Sequence, residues 1–121
     1  MIIVKNKKFY NGDGVYIGRP SILGNPFQIG KDGLTRKESI EKYKIWFRWK
    51  MESDPSFKKY VQSLVQITQN GDLVLICWCA PKACHGDFIK ETIEQLMSDS
   101  FNLDDFLEPI PKDYPGWSYA V

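Results

Sequence analysis

"DLVLICWCAPKACHGD", residues 72 to 87, decides the fold, because it runs from nearly continuous apolar sequence through a short turn into the start of a helix. Residues 72 to 79 read as a strand buried on both faces, the central strand of a sheet that helices cover. "APKA", residues 80 to 83, is the turn. From 85 to 97, Ile89, Ile93, Leu96 and Met97 fall on one helical face.

Working toward the N-terminus, Asp54 before Pro55 signals a helix start, and Phe57, Tyr60, Val61, Leu64 and Ile67 share a face until "QNGD" stops the segment. Thr35 with Glu38 makes a capping-box pattern for a helix from about 36 to 52. Ile40, Tyr43, Phe47 and Met51 follow at helical spacing there, and Trp46 and Trp49 widen the stripe. "GRPSILGNPFQIGKDGL", 18 to 34, has too many glycines and prolines for a regular element and reads as a long structured loop. "IIVK" (2–5) and "GVYI" (14–17) are short strands, and "NGDG" (11–14) between them is the pattern of a hairpin. The order β, β, loop, α, α, β, α predicts an α/β, Rossmann-like small sheet covered by helices in a single domain. Residues 1–98 carry both loops. In 99–121, Pro109, Pro111 and Pro115 predict an extended tail packing on the body or on a partner.

A chain of 121 residues is the length of one domain, and 43% hydrophobic with 26% charged residues is globular composition. Sixteen basic against fifteen acidic side chains leave a net charge of +1, so an anionic partner must be held locally rather than by an overall field. "YKIWFRWK" (43–50) interleaves basic and aromatic residues, but the aromatics lie on the core stripe while Lys42, Lys44, Arg48 and Lys50 face water, so nucleic acid is not the expected partner. No apolar run approaches the roughly 20 residues that cross a bilayer, and the three cysteines cluster instead of forming a disulfide framework. A cytoplasmic protein with reduced thiols and no membrane partner is expected.

"CWCAPKACHGD" (77–87) holds all three cysteines and the one histidine. Four readings stand. Cys77, Cys79, Cys84 and His85 have the types and number of a closed zinc site, although adjacent Cys84 and His85 would both have to turn inward. Cys84 just before a helix is placed for a thiolate nucleophile with His85 assisting. Alternatively, the strand-to-helix junction cradles a ligand at a helix N-terminus, with Trp78 and Cys79 as walls. Gly86 would permit close approach, and His85 and Asp87 would offer acid-base groups. Last, the thiols are small core residues and Asp87 complements the helix start. The cradle fits the strand–turn–helix order best, and no cofactor is required by it.

"GRPSILGNPF" (18–27) also follows a strand and presents Arg19, Ser21 and Asn25 among Gly18 and Gly24. Arginine grips phosphate or carboxylate bidentately, and such a loop turns main-chain N–H groups toward an anion. It matches neither a Walker loop nor a dinucleotide fingerprint.

Taken together, "YIGRPSILGNPFQIG" (16–30) and "LICWCAPKACHGDFI" (75–89) resemble the family of small bacterial and phage proteins known as domain of unknown function 4326, over roughly residues 15 to 90. The resemblance implies that Arg19, Pro20, Ser21, Gly24, Asn25, Pro26 and Phe27 belong to one signature with Cys77, Trp78, Cys79, Pro81, Cys84, His85 and Asp87. It brings no established activity. The expectation is a pocket between the two loops for a small anionic, nucleotide-, nucleoside- or ADP-ribose-like ligand. Arg19 would hold the anion, Ser21 and Asn25 would orient polar edges, and His85, Asp87 and Cys84 would do any chemistry on a phosphate or glycosidic bond. The rivals are a nucleotide-sequestering protein without turnover and a zinc-stabilised interaction module.

Overall fold

The computed structural model describes residues 1–80, 82–98, 107 and 109–116. A three-stranded parallel sheet in the order β1-β3-β2 is built from β1 (Ile2–Asn6), β2 (Val15–Tyr16) and β3 (Leu73–Cys77). Among the described residues three helices accompany it, α1 (Arg36–Ser53), α2 (Pro55–Asn70) and α3 (His85–Leu96), with one 3-10 turn at Lys31–Gly33. The fold is therefore mixed α/β, with the apolar run at its centre as the sequence predicts.

Burial along β3 alternates. Leu73, Leu75 and Cys77 are buried in one core with residues from all three helices, whereas Val74 and Ile76 are only half-buried. The expectation of burial on both faces is corrected here: successive side chains point to opposite faces, and the second face is only partly covered. The strand also ends at Cys77, leaving Trp78 and Cys79 in the loop beyond it.

The hairpin is corrected too. Ile2 to Asn6 pair in parallel with Leu73 to Cys77, while Val15 and Tyr16 pair in parallel with Leu75 and Ile76 on the other side. Residues 7–14 are thus a crossover from one flank of β3 to the other. A Cβ at Gly14 would meet the Val74 carbonyl and the Ile76 side chain at 2.9 Å, so this passage hugs the half-covered face.

Helix starts are written in the caps. Thr35 and Glu38 form the full capping box of α1. Asp54 ends α1 with its N–H on the Lys50 carbonyl, and its carboxylate accepts from the N–H groups of Ser56 and Phe57 to begin α2. α1 buries Tyr43, Trp46, Phe47 and Met51, and α2 buries Phe57, Val61, Leu64 and Thr68, leaving Ile67 exposed. On α3 the buried face is shifted toward the start of the helix: Phe88, Ile89 and Ile93 are buried while Met97 is exposed. Arg48, expected in water, pairs with Glu52 at 3.0 Å and donates to the Leu107 carbonyl at 3.1 Å. Leu107 is buried in the core and Tyr114 packs edge-on against Trp49; most of the 99–121 tail lies outside the described residues. Among the described residues no helix is long and apolar enough to cross a membrane.

Candidate functional site

Parallel strands deliver their carboxyl ends to one edge, so the segments that follow β2 and β3 meet there. Between them lies a cleft of about 230 Å³. Gly18, Arg19 and Asn25 line it from the first motif loop, and Trp78, Cys79, Cys84 and His85 from the second. Ile40 of α1 closes one side.

His85, the first residue of α3, is 8% exposed. Its Nε2 lies 2.6 Å from the Ile17 carbonyl oxygen. A carbonyl only accepts, so Nε2 carries the hydrogen and the neutral ring keeps its lone pair on Nδ1. Nδ1 has no hydrogen-bond partner among the described residues. Burial lowers the imidazole pKa below its ordinary value; the Ile17 carbonyl opposes this, Arg19 adds to it and Asp87 opposes it. The histidine is therefore neutral at pH 7. Beneath it, the Tyr43 ring packs edge-on at 5.0 Å, fixed by its hydroxyl donating to the Leu23 carbonyl at 2.8 Å. Burial raises the Tyr43 pKa, so that hydroxyl keeps its proton.

Trp78 stands at the mouth, 56% exposed. Its Nε1–H donates to the Tyr16 hydroxyl at 2.9 Å, and that hydroxyl donates to the Arg19 carbonyl at 3.0 Å. One relay thus ties the two motif loops and holds the edge of the indole while leaving ring surface free. From β1, Asn6 Nδ2 donates to the carbonyls of Trp78 and Ala80 at 3.1 and 2.9 Å, pinning the second loop from beneath. Arg19 spends Nη1 on the Asn25 carbonyl at 2.7 Å, and the rest of its guanidinium has no acidic partner among the described residues.

Cys84 is the N-cap of α3. Its Sγ accepts from the Gly86 N–H at 3.2 Å and lies 3.5 Å from Cys77 Sγ. The two thiols share a hydrogen bond, so they titrate as a pair. The thiol of Cys84 donating to its sulfur, with help from the N–H groups of Ala80 and Cys79 and against burial, brings Cys77 down to about 6. Cys84, as the donor and buried, is pushed far up. The four-ligand zinc set is not assembled: among the described residues no three His, Cys, Asp or Glu side chains are grouped to hold a metal. The reason is local, since His85 turns to the Ile17 carbonyl and Cys79 sits past the strand end, only half-buried.

Several predicted site residues do other work. Ser21 is absent from this cleft and lines another one. Gly24 is buried at a backbone crossing, where a Cβ would meet the Gly18 carbonyl at 3.0 Å and the Ser21 carbonyl at 3.1 Å. Gly86 lets α3 sit against the sheet, its Cβ position being 3.0 Å from Ile17 and 3.2 Å from Val4. Asn25 lines the cleft, yet its amide is committed: Nδ2 donates to Ser39 Oγ at 2.9 Å and Oδ1 accepts from the Phe27 N–H at 2.9 Å. Asp87 is exposed, its carboxylate accepting from the Cys84 N–H at 3.2 Å as the second half of a capping box. Sequence reasoning missed Asn6, Tyr16 and Tyr43. Tyr43 was hidden on an ordinary core stripe, and Asn6 and Tyr16 gave no signal because the second-loop groups they hold, at Trp78 and Ala80, are far along the chain and come near only on folding.

Fold and cleft together define a small α/β protein with a histidine-bearing cleft at the carboxyl ends of parallel strands. The chain belongs to the family described as Domain of unknown function (DUF4326), whose sequence model matches residues 3–95. It is similar to an uncharacterized 12.4 kDa protein of Enterobacteria phage T4 from the nrdA-td intergenic region, 32% identical over 98 residues that cover 81% of this chain and 83% of the relative. No solved structure matches the chain.

Proposed function

We propose that the cleft binds a small anionic ligand of nucleotide, nucleoside or ADP-ribose type, on a sheet used in the Rossmann-like manner, with the ligand outside the strand ends. The observation that carries this reading is that both motif loops, about sixty residues apart, line one cleft containing an unpaired arginine face and a neutral histidine. The volume, about 230 Å³, is below the usual 300–1,000 Å³ of a whole-ligand pocket, which suits one ring or phosphate group, the remainder lying across Trp78. Arg19 supplies charge for a phosphate, and the free surface of Trp78 supplies stacking.

The same geometry supports turnover, as hydrolysis or transfer at a phosphate or glycosidic bond. His85 Nδ1 has the lone pair of a general base, with its tautomer fixed from behind, and Cys84 and Cys79 lie on the same wall. Native mass spectrometry of freshly purified protein, then denaturation and identification of released small molecules, tests the reading. A nucleotide-like mass that disappears in Arg19→Ala is the expected result, and its altered or intact state separates an enzyme from a sequestering protein. If nothing is released, titration with AMP, adenosine and ADP-ribose follows; failure of all three to shift the Trp78 or His85 resonances overturns the proposal.

A further inference from the structure

Of the large aromatic side chains among the described residues, two are mostly exposed, Phe9 at 77% and Trp78 at 56%. They follow neighbouring strands. β1 and β3 end in register at Asn6 and Cys77, and Asn6 ties the two exits together: its carbonyl accepts from the Phe9 N–H at 3.0 Å, and its side-chain amide donates to the Trp78 carbonyl at 3.1 Å. The Lys7 N–H adds a bond to the Cys77 carbonyl at 2.7 Å. Both residues thus stand on one lip of the strand ends, beside the cleft that Trp78 lines.

The same lip is basic. Residues 7–19 and 78–87 carry Lys7, Lys8, Arg19 and Lys82 against Asp13 and Asp87, in a chain whose charges nearly balance. All four cations are exposed, and none has an acidic partner among the described residues. Lys7 Nζ lies 5.5 Å over the Tyr16 ring, whose hydroxyl accepts the Trp78 indole N–H, and Lys8 Nζ lies 5.6 Å over the Phe9 ring. Cations interleaved with exposed ring faces are the surface that tracks a single-stranded backbone and stacks its bases. The helix around residues 43–50 has the same residue types but no such surface, because Tyr43, Trp46 and Phe47 are buried. A mononucleotide held by Arg19 and Trp78 has no use for Phe9 or Lys8; a strand has. We propose, building on the nucleotide reading of the cleft, that the bound nucleotide is one residue of a single-stranded nucleic acid. The adjoining bases stack on Trp78 and Phe9, and their phosphates lie along Lys7, Lys8 and Lys82.

Full-length protein labelled with nitrogen-15 is titrated with AMP and with octameric oligoadenylates in ribo and deoxy form, and affinities are taken from calorimetry. At least one octamer is expected to bind tighter than AMP by on the order of tenfold, the effect of an added stacked base, and to move the Trp78 indole resonance. The better of the two octamers separates RNA from DNA. Phe9→Ala, at a position exposed enough to leave the fold intact, should remove about that factor from the octamer and leave AMP unchanged. Lys8→Ala with Lys82→Ala should weaken the octamer and flatten its log–log salt dependence by about 0.7 per lysine. AMP binding with neither octamer tighter overturns the strand but not the cleft, and leaves the aromatic lip to a protein partner. Failure of AMP and both octamers overturns the cleft reading and the strand with it. An octamer whose advantage over AMP survives Phe9→Ala and the paired lysine variant also overturns the assignment of this lip.

Discussion

His85 Nε2 and the Ile17 carbonyl oxygen, 2.6 Å apart, join the helix after one motif loop to the residue before the other. The contact orients the ring and closes the cleft in one step. His85→Ala leaves a buried carbonyl without its donor, and a buried group stripped of its partner costs about 1–3 kcal/mol. Urea unfolding is expected to show a loss of that size with the α/β fold retained by circular dichroism, while binding of the cleft's ligand is abolished. A variant that binds as well as the parent would remove His85 from the site.

The same burial fixes a pH dependence. Desolvation lowers the folded-state pKa of His85 below the ordinary value near 6.5, so between the two values the unfolded chain binds more protons than the folded one. Stability from this group is fully present above about 6.5 and is lost as pH falls through the folded pKa. The Cε1–H resonance of His85 should therefore titrate with a midpoint below 6.5, and the drop in urea midpoint from pH 7 to pH 5 should be smaller in His85→Gln. Thr35–Glu38 and Asp54 lose their lowered-pKa contributions at more acid pH, outside that window. A His85 midpoint at or above 6.5 contradicts the buried, neutral ring.

Tyr16 is the joint of the relay between the motif loops. Tyr16→Phe removes the acceptor of the Trp78 indole and the donor to the Arg19 carbonyl. At a partly exposed position two such bonds are worth about 0.5–1.5 kcal/mol each at most, so a small stability change is expected. The larger effect should be on the mouth of the cleft: the Trp78 indole N–H resonance moves toward its solvent position and ligand affinity falls. Gly18→Ala should reproduce the effect, because a Cβ there collides with the Tyr16 hydroxyl. An unmoved Trp78 resonance in both variants would show that the relay does not hold the ring.

Cys77 and Cys84 make a pair that gives up one proton readily and the other with difficulty. In a Cys79→Ser background the thiolate absorbance should develop with a midpoint of about 6, and a second thiolate should not appear in the ordinary cysteine range. Cys84→Ala removes the S–H donor and should move the Cys77 midpoint upward, toward about 8.5. Two independent titrations near 8.5 in the background protein would mean that the 3.5 Å sulfur contact has no electrostatic consequence.

How far the sequence could be read depended on the range of each interaction. The caps at Thr35 and Asp54 and the apolar run 73–77 are local signals, and the structure follows them. The two loops carry chemistry-bearing residues, and they do meet in one cleft. What failed was whatever depends on pairing across the chain. Glycines between two β-like runs fit a hairpin as well as a crossover, and only the pairing of both strands with β3 distinguishes them. Ser21 and Arg19 are two residues apart on one loop yet face different clefts, a divergence that a loop without periodicity does not announce.

Asp87 carries a divided signal, because a carboxylate next to a histidine at a helix start has two local readings. Its carboxylate accepts from the Cys84 N–H at 3.2 Å while the Cys84 sulfur accepts from the first turn, which is the geometry of a capping box built with a thiol. A carboxylate in the first turn also opposes the positive end of the helix dipole. If capping is its whole role, Asp87→Ala should cost about 0.5–2 kcal/mol in urea, the range for losing a cap, and leave ligand affinity within a factor of a few. Asp87→Asn should recover much of the stability, since an amide oxygen can accept from the same N–H. The outcome that would return Asp87 to the chemistry is a split between the two readouts: Asp87→Asn folded as stably as the parent yet turning over none of the ligand that Arg19 and His85 hold.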